Sequence, residues 1–193
     1  MNSKIKNVKT QILSEDWYTL NKVTFDYQLS DSQWVNQSRE CYDRGNGATV
    51  LLYNTEKKTV VLVKQFRMPT YVNGHQTGMM IETCAGVLDG DDPITCIIKE
   101  TEEETGYRIK NVKKIFESYM SPGAVTEILH FFIAEYNDQM KIGAGGGLDS
   151  EHEDIEILEM DFSKAIQMIE NGEIKDAKTI MLLQYAQLNQ LMG

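Results

Sequence analysis

The stretch from Gly86 to Tyr107, GVLDGDDPITCIIKETEEETGY, constrains the fold more than any other part of the chain. A loop of Gly and Asp leads into a helix predicted over residues 93–105. Asp92 has the short oxygen-bearing side chain of an N-cap, and Pro93 fits the first helical position, where its missing N–H is no loss. Gly106 supplies the left-handed residue on which helices commonly end. Ile94, Ile97, Ile98 and Thr101 recur at i, i+3, i+4 and i+7 and form one largely apolar stripe. Glu100, Glu103 and Glu104 fall on another face by the same spacing.

That acidic face breaks two local rules. Like charges four residues apart repel by about 0.2–0.5 kcal/mol, and anions in the last turns oppose the helix dipole. Lys99 can relieve Glu103, but no cation of the predicted helix stands three or four residues from Glu100 or Glu104. Local rules tend to be broken at functional sites, and convergent carboxylates suit a hard divalent cation held by oxygen ligands. Spacing alone fits a solvated acidic surface equally well.

Composition sets the outer limits. The 193 residues suit one domain, or one domain with an arm, and the 41% hydrophobic content is enough for a core. A net charge of −10 argues against nucleic acid, whose phosphates call for basic patches. An anionic ligand remains compatible if a metal carries the positive charge. Cys41, Cys84 and Cys96 are odd in number and form no C-x-x-C pair, which suggests buried thiols in a reducing compartment and argues against zinc. The N-terminal MNSKIKNVKTQILSEDW lacks the apolar core of a signal peptide, and no apolar run reaches membrane-spanning length. The expectation is a cytoplasmic protein without a membrane partner.

Residues 1–44 read as an arm of short strands. Val23, Phe25 and Tyr27 alternate cleanly, Ile5 and Val8 do not, and LSDSQW is a turn. So small a meander needs a partner surface, its own domain or a second copy. The main domain, residues 45–193, opens with the apolar strands ATVLLYN and KTVVLVKQFR joined by NTEKK. GMMIETCAG reads as a third strand running into the acidic motif. VKKIFESYMSPG and EILHFFIAEY are further strands with SPGAVT as the intervening loop, IEILEM is another strand, and SKAIQMIENGEI and AKTIMLLQYAQLNQLM are helices. Strands interleaved with helices suggest an α/β fold with a mixed sheet between helices.

Several features outside the helix bear on chemistry. Arg67 ends a strand and is either a surface charge or a fork for phosphate oxygens. Glu127 follows the SPGAVT loop, and Lys178 opens the last helix; either suits a surface as well as a site. The loop KIGAGGGLDSEHED carries Asp149, Glu151, Glu153 and Asp154 and is either a solvated acidic loop or a source of a metal ligand or general base. His75, His130 and His152 share no ligand spacing.

The motif resembles the Nudix box, G-x5-E-x7-R-E-U-x-E-E-x-G-U with U aliphatic. KETEEETGY carries the likeness. Lys99 stands for the usual Arg and Asp91 for the first Glu, the loop from Gly86 is one residue short, and Thr101 and Tyr107 replace aliphatic residues. YDRGNGATVLLYN, IETCAGVLD, YMSPGAVTEILHFFIAEY and GEIKDAKTIMLLQY extend the likeness to the ADP-sugar pyrophosphatase branch over nearly the whole chain.

The resemblance implies an α/β/α Nudix sandwich, and a homodimer that exchanges its N-terminal strands. It implies Mg2+-dependent cleavage of a nucleotide sugar, with GDP-mannose going to GMP and mannose 1-phosphate. ADP-ribose or another ADP-sugar is the alternative substrate, and a non-catalytic nucleotide sensor the alternative class. By the same resemblance the Ala85 carbonyl, Glu100, Glu104 and a loop glutamate would hold metal, with Glu103 supporting. Aligning back from DIEI makes the loop residue Glu153, with His152 beside it; aligning forward from AGGG makes it Glu151. The strand fixes the later end, which favours Glu153. Arg67, Gly86, Val87, Glu127 and Lys178 resemble substrate contacts. Trp17 and the Ser38–Arg39–Glu40 segment resemble contacts from a partner subunit.

Overall fold

The computed structural model describes residues 4–148, 150 and 152–192. The chain divides into two compact units, Met1–Asn46 with Tyr119–Ile128, and Gly47–Ser118 with Leu129–Gly193.

The first unit is an antiparallel three-stranded sheet in the order β1 (Ile5–Glu15), β2 (Thr19–Gln28), β3 (Trp34–Asp43). β2 and β3 pair without interruption from Thr19 opposite Asp43 to Gln28 opposite Trp34. β1 shifts register between Lys6 and Lys9 and again between Ile12 and Ser14, with Asn7 in the left-handed region. These bulges explain why Ile5 and Val8 do not alternate: an extra residue moves the following side chains to the other face. Every residue of β1 is exposed.

The second unit is built on a seven-stranded mixed sheet. Its strands are β4 (Gly47–Asn54), β5 (Thr59–Phe66), β6 (Met79–Glu82), β7 (Cys84–Val87), β8 (Lys113–Tyr119), β9 (Ile128–Glu135) and β10 (Glu156–Asp161). The main path is β10-β5-β4-β9-β8, with β6 paired to β5 and β7 to β4. β4 runs parallel to β9 and antiparallel to β5 and β7. β4 and β5 are buried almost throughout, which is why their sequences are continuous apolar runs rather than alternating ones.

Among the described residues four α-helices accompany the sheet: α1 (Met68–Val72), α2 (Pro93–Thr105), α3 (Phe162–Glu170) and α4 (Ala177–Leu188). Cys96 and Ile97 of α2 pack with Ala48, Val50, Leu52 and Phe132 on one side of the sheet. On the other parity of β4, Thr49 bonds Thr83, whose N–H donates to Thr179 of α4 at 2.7 Å. The result is the α/β/α sandwich expected from the sequence. Among the described residues no helix is long and apolar enough to cross a membrane.

One local expectation changes. GMMIETCAG is not one strand: it breaks at Thr83 so that β6 and β7 pair with different neighbours. The short α1 follows Arg67, with Pro in its first turn.

Candidate active site

α2 forms as its sequence dictates. The Asp92 carboxylate accepts the N–H groups of Ile94 and Thr95 at 3.0 and 3.2 Å, and Gly106 closes the helix in the left-handed region. The buried set differs from the predicted stripe. Ile94 is 47% exposed, while Cys96, Ile97, Thr101, Glu104 and Thr105 are buried. Glu104 therefore belongs to the core-facing side, three residues after Thr101 and seven after Ile97.

Glu104 is 3% exposed, and its Oε2 accepts the Ala85 N–H at 3.3 Å. Burial lifts its pKa to about 8; the charges of Glu100 and Glu153 push the same way, while the Cys84 thiol and Arg67 oppose. Glu100 lies directly over Gly86, where a β-carbon would fall 2.2 Å from its carboxyl carbon. Glycine at position 86 leaves the space that the Glu100 side chain occupies, and a larger residue there would displace that carboxylate. Glu103 is half-buried and meets Lys99 at 3.8 Å. Beneath the helix, burial raises the Cys84 thiol well above its ordinary range and Cys96 to about 12, so both are inert.

The Gly-rich loop seats on the C-terminal end of α2. Gly146 and Gly147 donate backbone N–H groups to the carbonyls of Glu104 and Glu103 at 2.9 and 3.1 Å. These carbonyls otherwise lack helical partners. Gly145 must be glycine, since a β-carbon there would sit 2.6 Å from the Thr105 carbonyl carbon. The loop then turns Glu153 inward, with its Oε2 accepting the Leu148 N–H at 3.0 Å. His152 is exposed. Glu151 lies outside the described residues.

Beside these carboxylates is a network that sequence reasoning reached only in part. The Arg67 guanidinium does not present its whole fork to solvent. Its Nε and Nη2 contact Glu82 Oε2 at 3.1 and 2.7 Å. Lys178 Nζ lies 3.4 Å from the same oxygen and 3.0 Å from Asp176. Against the cost of burial, Lys178 and Arg67 hold the Glu82 carboxyl below its ordinary range. Neither Glu82 nor Asp176 stood out in the sequence. The available sign was a charge at a core-facing position of the strand MMIE, where Met80 and Glu82 are the buried pair.

The structure thus brings Ala85, Gly86, Glu100, Glu104 and Glu153 together, with Arg67 and Lys178 alongside. Val87 completes β7, its carbonyl facing the Cys96 thiol. Trp17, Ser38, Arg39, Glu40 and Glu127 belong to the first unit. There Trp17 is 84% exposed, and Arg39 turns its guanidinium to the Ser38 carbonyl and the Gln37 side chain. Glu127 lies 3.8 Å from Arg44 Nε.

Among the described residues no three carboxylate, histidine or thiol groups are already gathered as a metal cage. The donor chemistry nonetheless fits a hard divalent cation. All donors are oxygens, and the buried Glu104 is surrounded by more negative than positive charge.

A family model for the NUDIX domain matches residues 43–183. The chain belongs to the NUDIX family, and is an enzyme of its hydrolase type. Hydrolases of this family generally use divalent metal ions. A second model, described as the GDP-mannose pyrophosphatase NudK N-terminal domain, matches residues 4–42. Relatives named GDP-mannose pyrophosphatase, from Escherichia coli O1:K1 / APEC and from Escherichia coli O6:K15:H31 (strain 536 / UPEC), are 56% identical over 192 residues, covering 100% of both chains. The relative from Escherichia coli (strain K12) is 55% identical with the same coverage.

Proposed function

We propose that this protein hydrolyses the pyrophosphate bond of GDP-mannose with Mg2+, releasing GMP and mannose 1-phosphate, as a cytoplasmic homodimer. The observation that carries the chemistry is Glu104, buried against Ala85 with Glu100 and Glu153 close enough to raise its pKa. The base and sugar rest on the full-length relatives and their printed name.

Glu100, Glu104, the Ala85 carbonyl and Glu153 would hold the cation. When bound, it neutralises the pyrophosphate oxygens and acidifies a water. Glu103 steadies the face through Lys99. Glu153 has one oxygen engaged by Leu148, and its Oε1 takes the proton of the attacking water. The new P–O bond forms as the bridging P–O bond breaks, and the leaving phosphate keeps the electron pair. Arg67 and Lys178 orient non-bridging oxygens. Gly86 and Val87 line the strand against which the diphosphate lies. His152, at the edge of the loop, contacts substrate. Trp17, Ser38, Arg39 and Glu40 contact the nucleotide sugar bound by the partner subunit, with Trp17 stacking on the base, and Glu127 contacts substrate; the first three strands, residues 1–44, serve as the dimerisation arm of a 45–193 catalytic domain.

Product identity tests this reading. Chromatography of the reaction should find GMP and mannose 1-phosphate in equal amounts, only when Mg2+ is present. GDP with free mannose, or no products, would contradict it.

A further inference from the structure

Glu82 is a buried carboxylate with no role in the chemistry above. It is 4% exposed at the end of β6. An unpaired carboxylate there would be very costly, and a cation offsets that cost only where the geometry is good and further hydrogen bonds are made. Glu82 has two. Arg67 lies side-on, and Lys178 approaches the same oxygen at 3.4 Å. Gln65 Nε2 adds a contact at 3.5 Å.

The donor inventory gives this arrangement a direction. A guanidinium has five N–H donors in a rigid fork. Side-on pairing with Glu82 uses Nε–H and one hydrogen of Nη2. The other Nη2 hydrogen and both on Nη1 remain on the neighbouring edge, which suits bidentate capture of a second oxyanion. An ammonium has three donors, and Glu82 and Asp176 account for two on Lys178. Both cations are therefore tethered with donors to spare, and Arg67 is near enough to Glu104 to feel its charge. Two long cationic side chains placed side by side repel and carry large rotamer entropy. A carboxylate between them cancels the repulsion and orders both before ligand arrives.

We infer that Glu82 is a positioning residue, holding Arg67 and Lys178 as a preassembled pair of cations for the phosphate oxygens of a nucleoside diphosphate. The inference rests on the pyrophosphatase reading for its substrate, but its anion-binding content can be measured separately.

Glu82→Gln keeps the volume and removes the charge. Loss of charge-assisted positioning should raise KM for GDP-mannose by about tenfold or more while kcat stays within about threefold. Calorimetry with inorganic pyrophosphate on chelator-treated protein should show the same weakening relative to wild type. The cycle with Arg67→Lys should be less than additive, because both changes loosen one unit. Where Glu82→Gln does not fold, Glu82→Asp draws the charge back by one methylene and should raise KM in the same direction by less.

A lower melting temperature with unchanged KM and pyrophosphate affinity would make Glu82 merely structural and overturn the inference. So would a fall in kcat alone, tighter pyrophosphate binding by the variant, or no pyrophosphate binding by wild type. If wild type cleaves no nucleotide sugar yet binds pyrophosphate in a Glu82-dependent way, the proposed function fails and this inference stands.

Discussion

Glu104 shares a helix face with Ile97 and Thr101 and is as buried as they are. A carboxylate in that position is stable as an anion only with positive charge nearby, and Arg67 alone does not overcome burial and the charges of Glu100 and Glu153. Its folded pKa of about 8 stands above the ordinary 4.5, so the folded protein binds this proton more tightly than the unfolded chain. The stability it contributes is complete below about pH 4.5 and is lost as pH rises through about 8. In chelator, the melting temperature should fall from about pH 6 to about pH 9, and Glu104→Gln should flatten that slope. Mg2+ should raise the melting temperature more at the alkaline end, because cation binding displaces the proton. Glu100→Gln and Glu104→Gln should each lower Mg2+-dependent turnover by at least about 100-fold; near-normal kcat in both would refute the metal assignment. The grouping of these glutamates was legible from spacing. The burial of Glu104 was not, because position 104 borders both faces and only packing against β7 decides between them.

At the scale of elements, α2 and the Gly-rich loop form one device. The loop satisfies the helix's last carbonyls, which blunts the dipole that anions in the final turns oppose, and it delivers Glu153 beside Glu104. In Gly147→Ala the new methyl would lie 2.6 Å from the Glu153 side chain. That variant should lose turnover by about tenfold or more, through displaced geometry, while Gly123→Ala, with open space around it, should stay near wild type. Glu153→Gln should lose far more turnover than Glu151→Gln; the reverse would move the loop carboxylate to position 151. The caps of α2 were fully legible, since Asp92, Pro93 and Gly106 act locally. The split of β6 from β7 was not, because Glu82 and Ala85 pair with strands distant in sequence. The bulges of β1 hid its length for a related reason: alternation is lost wherever register shifts.

For the whole molecule, the net charge of −10 is no obstacle to an anionic substrate that arrives with its metals. The α/β class and the order of apolar strands were readable because β4 and β5 are continuous apolar runs. The Arg67–Glu82–Lys178 network was not, since it joins three elements that only the fold brings together. Relatives at 55–56% identity span the entire chain, both units included, so the substrate claim concerns the molecule as a whole. Its most direct test is a steady-state comparison of GDP-mannose, ADP-ribose and GDP-glucose with Mg2+. GDP-mannose should have the highest kcat/KM. ADP-ribose ahead by about tenfold, about 1.4 kcal/mol of transition-state preference, would contradict the account.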